Sequence, residues 1–170
     1  MASTNVAVVG RYVRREGAVV IATHSDPVSR PVPSVMLRVA LENVAAGDDF
    51  EQLWTKRVGE GLFELCCIPF FAYDMALGDV LSADPKSGYV VQGVVRRSGN
   101  GVVRVAVKRS EDVDQLHVTL HDLLGGLQYL CEWYAPGYVA VSLEPGSPHS
   151  ELFEGLAALG DAVEIERILL

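Results

Sequence analysis

Residues 62–83, LFELCCIPFFAYDMALGDVLSA, constrain this chain more than any other stretch. The ten residues from Leu62 to Phe71 carry a single charge, Glu64. An apolar run this short, with Gly61 before it and Pro69 inside it, predicts a buried strand over residues 63–71 rather than a helix. Pro69 has no N–H to give to a ladder, so it belongs at a strand end, an edge or a bulge. Residues 72–77 then cross over. Gly78 and Asp79 mark a turn before a strand over residues 80–83. Pro69, Phe70 and Phe71 are expected to plug one end of a small β-structure.

The segments on either side predict an α+β fold in two halves. In residues 1–101, apolar β-branched runs at 5–9 and 18–22 predict two short strands joined through the basic segment 11–17. His24-Ser25-Asp26-Pro27 opens a proline-rich loop. Residues 35–41 alternate Val35, Leu37, Val39, Leu41 with Met36, Arg38, Ala40, which predicts a strand with one wet face. Residues 45–49 form a polar turn. Residues 51–57 form a strand that buries Leu53 and Trp54, and residues 89–97 are the last strand of a barrel-like antiparallel half.

Residues 102–170 predict a strand, a helix, a hairpin, a second helix and a final strand. Val103, Val105 and Val107 share a face of the first strand. Ser110 is placed to cap a helix whose first turn is acidic, which suits the positive end of the helix dipole. Leu116, Leu120, Leu123, Leu124 and Leu127 follow helical spacing. Gly125-Gly126 weakens this helix, so a close backbone approach is expected there. Ser147-Pro148 reads as the start of the second helix and Gly160 as its end. This β-α-β-β-α-β order is the split arrangement of ferredoxin-like domains.

The words LWTKRVGEGLFELCCIPFFAYDMALGDVL and VVRRSGNGVVRV resemble the DUF4265 family of bacterial domains of unknown function. The pattern is Trp54, then Ile68-Pro69-Phe70-Phe71, Gly78-Asp79-Val80 and Ser98-Gly99, and the resemblance spans residues 35–170. His24-Ser25-Asp26-Pro27 resembles actinobacterial-type members. The family has no catalytic assignment, so the resemblance implies a fold and no activity.

Composition narrows the function classes. Hydrophobic residues make up 49% of the 170, enough for a core, which excludes a disordered chain. No apolar run reaches the roughly 18 residues of a membrane span. The N-terminus has its apolar patch before its basic cluster, the reverse of a signal peptide, so a cytoplasmic protein is expected. The three cysteines fit that expectation: Cys66 and Cys67 are adjacent, which leaves Cys131 without a natural disulfide partner. There is no C-x-x-C, no phosphate loop and no G-x-G-x-x-G, so neither a metal nor a cofactor is expected.

Charge is lopsided. Residues 110–170 hold one of the 14 Lys and Arg, Arg167, but eleven of the 22 Asp and Glu. The formal net charge is −8. Nucleic acid and anionic membrane are therefore unexpected partners. Arg96, Arg97, Arg104, Lys108 and Arg109 form a basic stripe without stacking aromatics, the pattern of a solvated strand face.

Four groups carry possible chemistry. His117 and His121 share a helix face, but H-V-T-L-H lacks the glutamate of a zinc protease and a third ligand. Cys66 or Cys67 offers a nucleophile with His24 as base and Asp26 or Asp79 as orienter, although nothing basic adjoins the cysteines in sequence. His24-Ser25-Asp26 places three catalytic residue types side by side, where adjacent side chains diverge; a backbone-bonded turn explains them equally. Asp74, Asp79 and Asp84 read as turn carboxylates or an acid–base pair. Three readings of function follow. The first is a non-enzymatic protein-binding module, such as an immunity-type inhibitor or a biosynthetic accessory protein. It would present Glu111, Asp112, Asp114, Glu151 and Glu154 to a basic partner. The second is a small enzyme using His24 and Asp26 with a cysteine or carboxylate between the halves. The third is a ligand-sensing domain, by analogy of fold alone.

Overall fold

The computed structural model describes residues 6–9, 12–15, 21–41, 50–108 and 113–170. Its first strands are β1 (Val6–Val9) and β2 (Tyr12–Arg15), an antiparallel pair with Val8 opposite Val13. The basic segment expected to be a connector therefore supplies a strand. A partner a few residues away costs less loop entropy than the distant one at 18–22. Of that second apolar run, β3 (Ile21–Ala22) instead pairs in parallel with the start of β5 (Phe50–Gly59).

The larger sheet runs β3-β5-β4-β8-β7-β6, with β4 (Val35–Ala40), β6 (Leu62–Leu65), β7 (Val80–Asp84) and β8 (Val90–Arg96). β6 pairs back onto β5, closing β4–β8 into a five-stranded barrel. Its weak seam is between β4 and β8. These strands are parallel and meet at one position, Arg38 opposite Val90, where the Arg38 N–H reaches the Tyr89 carbonyl at 3.0 Å. The barrel fills with Leu37, Leu53, Phe63, Leu65, Cys67 and Leu81, all fully or nearly fully buried. The polar turn expected at residues 45–49 lies outside the described residues.

The second sheet consists of β9 (Gly101–Val107), β10 (Cys131–Ala135), β11 (Tyr138–Leu143) and β12 (Val163–Leu169) in the order β10-β11-β9-β12, every neighbour antiparallel. Two helices, α1 (Val113–Gly126) and α2 (Ser150–Ala158), cover one face. Val103, Val105, Val139, Val141, Leu120, Leu124, Leu152 and Leu156 make that core. The fold is thus α+β, and the change of sheet falls between Arg96 and Gly101.

Several local expectations change. Gly125 and Gly126 end α1 in the open, with nothing near the position a Cβ would take. The close helix approach is at Gly155, where a Cβ would lie 2.7 Å from Leu123 Cδ1. α2 starts after His149, not at Ser147-Pro148. The Ser147 N–H instead closes a turn onto the Glu144 carbonyl, and His149 makes no side-chain cap. The cap expected at Ser110 lies outside the described residues.

The largest departure concerns residues 63–71. The ladder stops at Leu65, and residues 66–71 leave the barrel as irregular backbone. Pro69 cannot donate to a ladder. This strip crosses to the second sheet, where Ile68, Phe70 and Ala76 pack on Val102, Ala106, Tyr138 and Ala140. β9 is therefore covered on both faces, which is why residues 101–106 are all buried. No helix among the described residues is long and apolar enough to cross a membrane.

Phe70 is 1% exposed at the joint of the two sheets. Phe70→Ala is expected to lower unfolding free energy by about 3–5 kcal/mol, the usual range for a buried phenylalanine. Urea denaturation measures it. Unchanged stability would show that Phe70 does not hold the sheets together.

Candidate functional site

Irregular backbone can be buried only if its polar groups find partners. The strip at residues 66–72 finds them in side chains that three separate elements deliver. Residues 51, 53 and 55 of β5 point inward by strand alternation, so Glu51 enters the core beside Leu53. Its Oε1 accepts the Phe70 N–H at 2.6 Å, and its Oε2 accepts those of Phe71 and Ala72 at 2.9 and 2.8 Å. Glu132, on β10, accepts the N–H groups of Ile68 at 2.8 Å and Val28 at 3.0 Å through Oε1.

His24 lies between the two carboxylates. Its Nδ1–H donates to Glu132 Oε2 at 2.5 Å and its Nε2–H to Glu51 Oε1 at 2.9 Å. The ring stacks on Phe70, with centroids 4.3 Å apart and planes 9° from parallel. The Trp54 indole N–H bonds the His24 carbonyl at 3.1 Å. Burial works against the imidazolium, but the hydrogen bonds to the Glu132 and Glu51 carboxylates outweigh it and push the His24 pKa up to about 12. Burial likewise disfavours the Glu51 carboxylate, yet the bond to His24 and its charge carry the net shift downward.

Carbonyls of the same strip are taken by Arg104, which is 0% exposed. Its Nε–H donates to Phe70 O at 2.8 Å and Pro69 O at 3.1 Å, and its Nη2–H to Ala72 O at 3.1 Å. Arg104 thus leaves the solvated stripe in which its sequence neighbours placed it. Beside it, Glu166 accepts hydrogen bonds from the hydroxyls of Tyr73, at 2.8 Å, and Tyr138.

This geometry defines the chemistry of the cluster. Both imidazole nitrogens donate to carboxylates, so the ring has no free lone pair with which to take a proton. Burial pushes the Cys67 thiol up to about 11, although the charge on His24 opposes it. A neutral buried thiol is a poor nucleophile. The arrangement is a charged brace.

Other candidates are scattered. Cys66 bonds the Glu64 carbonyl at 3.4 Å, and burial raises its pKa. Asp26, in the same loop as His24, points into solvent 3.6 Å from Arg30. Asp79 is buried at a turn and accepts the N–H groups of Ala76 and Ser98 and a bond from Arg97. Asp84 caps the turn after β7 through the Lys86 N–H. His117 packs on Trp133, centroids 4.2 Å apart, with Nδ1 at 3.1 Å from the Pro136 carbonyl; His121 is exposed. Among the acidic set, Asp114, Glu151 and Glu154 are exposed on the helices, while Glu111 and Asp112 lie outside the described residues.

Among the described residues, clefts open on the surface. One, of about 260 Å³, lies between the end of α1 and the start of α2, where Tyr129 Oη meets His149 Nδ1 at 2.7 Å. Another, of about 400 Å³, follows the seam where β4 and β8 part, with residues 71–75 as its floor.

A five-stranded barrel joined to a four-stranded, two-helix sheet through a salt-braced loop defines a class of α+β protein. The family model described as "Domain of unknown function (DUF4265)" matches residues 51–166, and the chain belongs to that family. A solved structure titled "Novel crystal structure of a hypothetical protein from Neisseria gonorrhoeae" is similar in fold. It has a TM-score of 0.60 at 15% identity, covering 77% of this chain and 91% of that one. No curated protein matches the chain.

Glu51, Glu132 and Arg104 escaped the sequence reading, and one signal existed. Glu51 and Arg104 each fall in register with buried apolar residues of a strand, where a charge has no bland explanation.

Two outcomes test the brace. His24, with its pKa raised from 6.5, contributes stability in full below pH 6.5, and that contribution drains away as pH rises toward about 12. Glu51, with its pKa lowered from 4.5, contributes above pH 4.5 and loses its contribution as pH falls through the folded value. The stability gap between the parent and His24→Gln should therefore narrow steadily above pH 6.5. Urea titrations across pH read it, and a gap constant to pH 10 would rule out a charged His24. Separately, iodoacetamide at neutral pH should leave Cys67 unlabelled in the folded protein and label it in denaturant. Rapid labelling in the folded state would reveal an accessible thiolate.

Proposed function

We propose that the protein is a non-enzymatic binding module that offers an acidic helical face to a basic protein partner. An immunity-type inhibitor or a biosynthetic accessory protein has this chemistry. The observation that carries the reading is the outer side of the two helices. Asp114, Asp122, Glu151 and Glu154 are exposed there, and neither helix contains a lysine or arginine. The inner side of the helices is spent on the sheet core, and the far face of the sheet is spent on residues 68–76. The outer helix surface is thus left for recognition. A one-signed field of this kind speeds association with a basic surface and repels nucleic acid and anionic lipid. The enclosed His24 cluster supports binding over catalysis, since it is bonded to itself and not to an open site.

The second half, residues 102–170, is on this reading a ferredoxin-like unit. The antiparallel order β10-β11-β9-β12 and the helices on one face support that assignment. The barrel strands β4–β8, within residues 1–101, form on this reading the half that braces it. Three free cysteines, two of them buried, support a reducing, cytoplasmic setting.

The test is capture of partners from host extract by the parent and by the charge-reversed variant D114K/E151K/E154K. Proteins with basic surfaces should bind the parent at low salt, and be lost at about 0.5 M salt, where screening shortens to a few ångströms. The reversed variant should not hold them. The same proteins bound to both, at both salt concentrations, would leave the acidic face as a solubility feature.

A further inference from the structure

Three buried charged side chains converge on one short strip of backbone. Glu51 holds the N–H groups of residues 70–72, Arg104 holds the carbonyls of residues 69, 70 and 72, and His24 neutralises Glu51 from behind. Glu166 fixes the Tyr73 hydroxyl. Desolvated charges are a poor route to stability compared with apolar packing, but they hold atoms in one place. The opposite side of this strip is the floor of the 400 Å³ cleft, formed by Phe71, Ala72, Tyr73, Asp74 and Met75. The floor of a binding site needs this kind of support from the layer beneath it.

The walls come from the open seam of the barrel. Past the single Arg38–Val90 bridge the two strands part, leaving Val39 and Leu41 on one side and Val91 on the other. The volume suits a small ligand. Its charge is also specified. Among the described residues that line the cleft there is no lysine or arginine. The Asp74 carboxylate makes no hydrogen bond or ion pair among the described residues. The nearby Arg97 spends Nη1 on the Asp74 carbonyl and on Asp79.

We propose that the cleft between β4 and β8 binds a small organic amine, its ammonium on Asp74 and its apolar body between the strand walls formed by Val39, Leu41 and Val91. Apolar walls favour the body, and the Asp74 carboxylate favours a cation over an anion. The site is separate from the acidic helices.

The experiment is titration of the full chain, followed by amide NMR, with phenethylamine and with its anionic counterpart 3-phenylpropionate. Phenethylamine should give saturable shifts at Ala40, Asp74 and Val91, and 3-phenylpropionate should give none there. Asp74→Asn should weaken the amine about two- to fivefold, the scale of one exposed ion pair. Gly93→Leu should abolish binding and leave the remaining spectrum intact, because a Cβ at Gly93 meets nothing within 4 Å. Shifts that do not saturate, equal binding of the anion, binding that survives Gly93→Leu, or shifts confined to α1 and α2 would each overturn the proposal.

Discussion

Two carboxylates in the core, bridged and half neutralised by one imidazolium, make the rest of this structure possible. The strip from Cys66 to Ala72 crosses from barrel to sheet without regular hydrogen bonding, and at residues 66–70 it is fully buried. Five N–H groups would be stranded there without Glu51 and Glu132, four on this strip and one at Val28. Each stranded group costs about 1–3 kcal/mol, so the strip could not be enclosed without them. Two bare carboxylates in the same place would cost still more, and His24 is what makes the pair tolerable.

The brace also joins distant parts of the chain. His24 comes from the loop after β3, Glu51 from the barrel, Glu132 from the second sheet, and Arg104 from the strand that both cores share. Removing one member leaves the others buried and uncompensated, which in comparable cases costs about 3–5 kcal/mol. Phe70 closes the arrangement by stacking on His24 while it fills the joint between the two sheets. The inter-sheet geometry is thus set by directional bonds and packing together. This geometry places the floor of the β4–β8 cleft on one side of the molecule and the acidic helices on the other.

The constellation looks catalytic when reduced to residue types: a cysteine, a histidine and two glutamates within one cluster. Its hydrogen bonds occupy both imidazole nitrogens. A general base needs one unprotonated nitrogen facing a reactant, and here both nitrogens face carboxylates. A thiolate needs solvent or a dominating cation, and at Cys67 burial wins.

Local pattern determined most of the elements. Alternation marked β4 and β9 and leucine spacing marked α1, whereas the stretch at residues 63–71 read as strand and its ladder stops at Leu65. The order of elements from β9 to β12 was legible because each is set by contacts close in sequence. Other features depended on residues far apart. The barrel closes through β5 and β6 and a one-bridge seam between β4 and β8. The His24 brace unites positions separated by as many as 108 residues. No local period encodes which carboxylate will neutralise which cation, because that pairing exists only once the chain is folded and the water is gone. A glutamate among inward-facing residues of a strand therefore shows from sequence only that something must meet it; tertiary structure supplied the histidine.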